Sequence, residues 1–122
     1  MIQQLEQVPA NMVGFRATGE VTKEDFEQVV IPAVERSIEK TGVLNYMLVL
    51  DTSVKEFNVG AWLQDAFMGI KHLTKWNRAA IVSDSKGIKT FTDIFSKLMP
   101  GEFRGFDHAD MQTAIDWVSE KK

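Results

Sequence analysis

The sequence predicts an α/β fold: a mixed, mostly parallel five-stranded sheet with four helices, in the order β-β-α-β-α-β-α-β-α. Three observations predict it. Residues 44–73 read LNYMLVLDTSVKEFNVGAWLQDAFMGIKHL, where an apolar run ends at Asp51, Thr52 and Ser53, and a short polar loop leads into an amphipathic helix. Two further short strand patterns, RAAIVS and EFRGF, alternate with helical ones, as in a largely parallel sheet. A turn at Pro9–Asn11 joins two strand-like stretches, which adds an antiparallel hairpin and makes the sheet mixed.

The elements follow one another closely. Met1 to Val8 is a weakly alternating strand. After the turn, Val13, Phe15 and Ala17 alternate with Gly14, Arg16 and Thr18, the pattern of a half-buried strand. Thr22 is a good N-cap for a helix running to about Thr41, with Phe26, Val30, Ala33, Val34 and Ser37 on one face. Gly42 suits its end. Pro32 lies inside this helix, removes one backbone donor and crowds the carbonyl of Gln28, so a kink is expected there.

Tyr46 to Leu50 reads as a strand buried on both faces. A second helix from about Asn58 places Val59, Leu63, Ala66, Ile70 and Leu73 on one stripe, flanked by Trp62 and Phe67. Arg78 to Ser83 is a short buried strand. Ser85 can cap a third helix, with Ile88, Phe91, Ile94, Phe95 and Leu98 inward and Pro100–Gly101 ending it. Phe103 to Phe106 is a brief last strand, and Asp107 can cap a final helix carrying Met111, Ala114, Ile115 and Val118. Right-handed crossovers then bring the ends of the later strands to one rim, with Asp51, Thr52 and Ser53 beside Ser83, Asp84 and Ser85.

A chain of 122 residues suits one domain, 1–122. Its hydrophobic fraction of 44%, charged fraction of 25% and net charge of −3 are those of an ordinary globular protein and argue against a nucleic-acid binder, which carries a basic excess. With no cysteine, disulfides, thiolate metal sites and thiol catalysis are excluded. The opening MIQQLEQVPANMV has no signal-peptide pattern, and no apolar stretch approaches the roughly 20 residues of a membrane span. A cytoplasmic location is expected.

The element order, the strand ending LVLDTS, the PGEFRGF turn-and-strand and the closing AIDWV together resemble the SpoIIAA-like proteins. These have a STAS-type fold, related to bacterial anti-sigma factor antagonists and, more distantly, to CRAL-TRIO lipid-carrier domains. The resemblance covers essentially the whole chain, and its motifs are structural rather than catalytic. In the antagonists, a partner kinase phosphorylates a serine at the start of the helix after a strand and loop. Here that helix start reads Phe57-Asn58-Val59-Gly60-Ala61-Trp62 and holds no hydroxyl. Thr52 and Ser53, earlier in the loop, are the candidate phosphoacceptors that remain.

The rim residues are first of all turn and cap residues, since Ser, Thr and Asp satisfy local backbone groups at such positions. A weak polar ligand site is the alternative. His72 and His108 are far apart in sequence. His72 neighbours Lys71 and Lys75, which repel cations, and His108 is expected in solvent, so neither a metal site nor histidine catalysis is expected. SDSKGIKTF lacks the spacing of a phosphate-binding P-loop. Ala61 and Met68 project from the second helix away from its main stripe, and with Trp62 they widen its apolar surface as a partner surface would. Lys71, Lys75 and Arg78 with Trp76 form the one basic-aromatic cluster.

These observations predict a non-enzymatic binding or regulatory module without cofactor. It recognises a protein partner, or a second copy of itself as a homodimer, through the loop and helix after the third strand. The candidate surface is Asp51, Thr52, Ser53, Phe57, Asn58, Ala61, Trp62 and Met68. The alternative, implied by the CRAL-TRIO likeness, is a carrier or sensor of a small apolar or amphipathic ligand.

Overall fold

The computed structural model describes residues 1–18, 23–51, 76–84 and 101–120. These residues form one five-stranded sheet in the spatial order β1-β2-β3-β4-β5. The strands are β1 (Ile2–Gln4), β2 (Val13–Thr18), β3 (Leu44–Asp51), β4 (Trp76–Val82) and β5 (Glu102–Phe106). β1 pairs with β2 antiparallel, and every later pairing is parallel. The sheet is therefore mixed, with the hairpin at one edge, as the sequence predicts. Helix α1 (Lys23–Asp25) runs into a π-helix (Phe26–Val30) and then α2 (Ile31–Thr41); a 3-10 turn (His108–Asp110) leads into α3 (Met111–Ser119). The helices expected over 58–73 and from Ser85 lie outside the described residues.

β3 is the centre of the molecule. Leu44 to Leu50 are all buried and only Asp51 is exposed. Alternation divides the strand between two cores. Leu44, Tyr46, Leu48 and Leu50 face the side covered by α2, where Val30, Ala33, Val34 and Ile38 pack. Met47 and Val49 face the side covered by α3, with Ala114 and Val118. On the α2 side four strands each contribute an aromatic ring. Phe15, Tyr46, Trp76 and Phe103 run across the sheet with successive centroids 5.5, 5.6 and 5.1 Å apart. Each such pair adds about 0.5–1.5 kcal/mol beyond burial. Burial also pushes the Tyr46 phenol far above its ordinary pKa, so it stays protonated.

Several boundaries differ from expectation. β1 stops at Gln4; Ile2 enters the α2-side core and Leu5, an odd number of residues later, packs on the α3 side, as strand alternation requires. The Leu5 amide still reaches the Gly14 carbonyl, at 2.8 Å. Where a kink is expected, a π-helix ends just before Ile31 and Pro32. The wider turn accommodates a residue that cannot donate to the ordinary helical carbonyl. Gly42 closes α2 in the left-handed region, with its amide on the Ile38 carbonyl at 2.7 Å. Asp107 makes no capping bond to the final helix. Instead Asp84, from beyond β4, accepts the His108 backbone N–H at 2.9 Å.

Polar side chains stitch the rim where the parallel strands begin. The Asn11 amide donates to the Ser119 carbonyl, Asn45 to the Asn11 carbonyl and Asn77 to Asn45 Oδ1, each at 2.8 Å. Buried Asn45 is thus held at both ends of its amide, as burial requires. The same rim receives the turn before β5. Gly101 has φ +92, and a Cβ there would lie 2.8 Å from the Trp76 carbonyl oxygen. Gly42 has φ +83, with open space where its Cβ would be. Gly101→Ala is therefore expected to cost about 2 kcal/mol or more, against about 1 kcal/mol for Gly42→Ala. Urea unfolding of the two variants checks this, and equal losses would contradict the close approach at Gly101.

Candidate functional site

The opposite rim, where the parallel strands end, carries charge. Asp51 is the last residue of β3 and shares its α3-side parity with Met47 and Val49. Arg16 of β2 opposes Val49, so it lies diagonal to Asp51 on the same face, within reach of a long side chain. Arg16 Nε lies 3.0 Å from Asp51 Oδ2. This is an ion-pair distance without hydrogen-bond alignment, for the same Nε has no hydrogen-bond partner.

His108, placed by the 3-10 turn after β5, completes the rim. Its Nε2 lies 2.6 Å from Asp51 Oδ1 and its Nδ1 lies 3.1 Å from Asp84 Oδ2. The cluster brings Arg16 and His108 together with two carboxylates, Asp51 and Asp84. It joins β2, β3, the end of β4 and the turn after β5. Both ring nitrogens thus lie within ion-pair distance of a carboxylate. Among the described residues, no group of three His, Cys, Asp or Glu side chains could hold a metal ion.

Beside this rim an open cleft of about 560 Å³ lies between residues 3–8 and α3. Leu5 and Val8 line one wall, Met111 and Ile115 the other, and Arg16 lies between them. Met111 and Ile115 are one helical turn apart and share a face. Gly14 lets the first wall lie flat, since a Cβ there would be 3.2 Å from Leu5 Cδ1 and 3.5 Å from Val8 Cγ1.

Of the sequence-predicted surface, Asp51 lies at the rim as expected, and Thr52, Ser53, Phe57, Asn58, Ala61, Trp62 and Met68 lie outside the described residues. So do Ser85, His72, Lys71 and Lys75. Ser83 is buried, with its amide on the Phe106 carbonyl at 2.8 Å. His108 keeps 30% of its side chain exposed, and it also meets two carboxylates that the sequence did not show. The basic-aromatic cluster is corrected. Trp76 enters the α2-side core, whereas Arg78 is buried on the other face. Arg78 donates to Glu102 at 2.8 Å, the Trp117 carbonyl at 2.7 Å and Glu120 at 2.8 Å, and stacks 5.0 Å from the Trp117 ring. The bond to Glu120, then that to Glu102, raises its pKa further against the effect of burial. Arg78 thus fastens α3 to the sheet. Sequence reasoning also missed Arg16 and the cleft. One signal was present: Asp51, Asp84 and His108 each follow a parallel strand closely, and such positions converge.

A family model described as SpoIIAA-like matches residues 12–119. The chain belongs to the SpoIIAA-like family. A solved structure agrees over nearly the whole length. It is an uncharacterised protein from Shewanella loihica PV-4, of the DUF3478 family and with a SpoIIAA-like fold. It is 26% identical, with a TM-score of 0.68 over 96% of this chain and 93% of that one. Among curated proteins, none matches the sequence. The SpoIIAA-like assignment agrees with the mixed sheet and with the element order of the described residues. No helix among the described residues is long and apolar enough to cross a membrane.

The rim cluster should behave as coupled charges of modest strength. The Asp51 side chain is 34% exposed and Asp84 71%. In double-mutant cycles, His108→Ala with Asp51→Asn should show a coupling of about 0.5–1 kcal/mol, and with Asp84→Asn less than about 0.5 kcal/mol. Both should shrink in high salt. Urea unfolding at two ionic strengths measures them, and a larger coupling to Asp84 would overturn this ranking.

Proposed function

We propose that this chain is a non-enzymatic binding or regulatory module that recognises a protein partner through the loop and helix after β3. One observation carries the reading. Asp51, from which that segment departs, is held to β2 by Arg16 and, through His108 and Asp84, to the ends of β4 and β5. A recognition segment rooted on a fixed sheet end loses less freedom on binding than one rooted on a mobile chain. Family membership supports a regulatory or protein-interaction role.

In this reading Asp51, Thr52, Ser53, Phe57, Asn58, Ala61, Trp62 and Met68 form the partner surface, in the cytoplasm, and the partner is another protein or a second copy. Thr52 or Ser53 is where a phosphate would add charge beside Asp51 and weaken association. Met68→Asp should leave the thermal transition within a few degrees of the parent while abolishing the homodimer, or the complex formed in host extract. Light scattering and pull-down measure this, and an unchanged set of associations would show that the second-helix surface is the wrong one.

The cleft favours a second reading, a carrier or sensor of a small amphipathic ligand. Its volume of about 560 Å³ falls within the range of small-molecule sites, about 300–1,000 Å³. Its lining mixes Leu5, Val8, Met111 and Ile115 with glutamines and Glu6, and it holds the Arg16 guanidinium.

A further inference from the structure

We infer that the cleft between residues 3–8 and α3 takes an amphipathic monoanion, such as a medium-chain carboxylate, with its acid group on Arg16. This rests on the ligand-binding reading above and names its chemistry. Arg16 presents a fork of donors suited to two-point binding of a carboxylate. Asp51 does not use that fork fully. Its Oδ1 is taken by His108 at 2.6 Å, and its Oδ2 meets only Arg16 Nε, at 3.0 Å and without hydrogen-bond alignment. Among the described residues, no other group pairs with the guanidinium, which is 40% exposed and lines the cleft.

The apolar part of the lining, which sits beside Gln3, Gln4 and Gln7, gives the rest of the match. Leu5, Val8, Met111 and Ile115 are each only partly buried against the α3-side core, so apolar surface remains to cover. Methionine at one of these positions can adapt to an alkyl chain. The charges nearby set the head group. Asp51 pairs with Arg16, and exposed Glu6 also lines the cleft. One added negative charge can share Arg16 with Asp51, whereas a dianion would face both carboxylates at once. A single carboxylate is therefore favoured over a phosphate monoester.

Decanoate and 1-decanol, below micellar concentrations, separate the two levels of the inference. Methyl NMR of the full chain locates binding and calorimetry measures it. Decanoate should shift the Met111 and Ile115 methyl resonances and bind about tenfold or more tightly than decanol, the scale of one charge-assisted contact. Arg16→Gln should reduce decanoate to the affinity of decanol and leave decanol unchanged, while Arg16→Lys keeps part of the preference. If decanol equals decanoate in the unaltered protein, or if folded Arg16→Gln retains the preference, the anion assignment fails and the ligand reading stands. If neither compound moves Met111 or Ile115, both fail. Should Arg16→Gln not fold, the decanoate-to-decanol ratio of the unaltered protein decides.

Discussion

The whole structure depends on the double burial of β3. A strand with seven consecutive buried residues must find backbone partners along both edges and apolar cover on both faces. β2 and β4 supply the edges, in parallel and nearly unbroken register. α2 and its π-helical lead cover one face, and α3 shares in covering the other. A parallel arrangement has a consequence that an antiparallel one does not. All strand starts gather on one rim and all strand ends on the other, so polar groups flanking the strands collect there. The two rims then diverge in chemistry. Neutral amides and the buried Arg78, paired with Glu102 and Glu120, close the starting rim. Carboxylates with one histidine and one arginine occupy the ending rim.

That divergence bears on where function sits. Arg78 is 8% exposed and its partners are the glutamates and carbonyl that hold α3 in place, so it serves the fold. Arg16, with comparable chemistry, is half-exposed at the other rim and meets one oxygen of a carboxylate shared with His108. The contrast between the two arginines is one of satisfaction rather than charge. The first places three N–H donors on its neighbours, and the second retains donors beside a cleft.

Much of this was legible in the sequence where the cause is local. A short apolar run bounded by turn residues suits a doubly buried strand, Gly42 can end a helix at no steric cost, and Pro32 disturbs the helix that holds it. The order of elements and the family motifs then carried the mixed sheet. The rim was legible only as a position. His108 meets Asp51 57 residues away and Asp84 24 residues away, and no spacing rule links residues brought together by strand order. Asn45 was hidden for the same reason, since a polar residue inside an apolar run looks unfavourable until Asn11 and Asn77 are placed beside it. Trp76 and Arg78 misled in the opposite direction. Adjacent positions that suggest one surface cluster were divided between the two faces of β4, because a bulge beside Leu44 and Asn45 leaves Trp76 inward on one side and Arg78 inward on the other.

The two functional readings meet at Arg16. The partner reading needs Asp51 held fast, because the segment after it would otherwise start from a frayed strand end. The ligand reading needs Arg16 to accept a second anion, and that anion competes with Asp51 for the same guanidinium. Asp51 does not depend on Arg16 alone, since His108 takes its other oxygen at 2.6 Å and carries the link onward to Asp84. Removal of some charge from the Arg16 contact therefore loosens the rim without releasing it. One side chain thus stands between the cleft and the base of the proposed recognition segment, so a molecule in the cleft and a partner on the rim act on the same pair of charges.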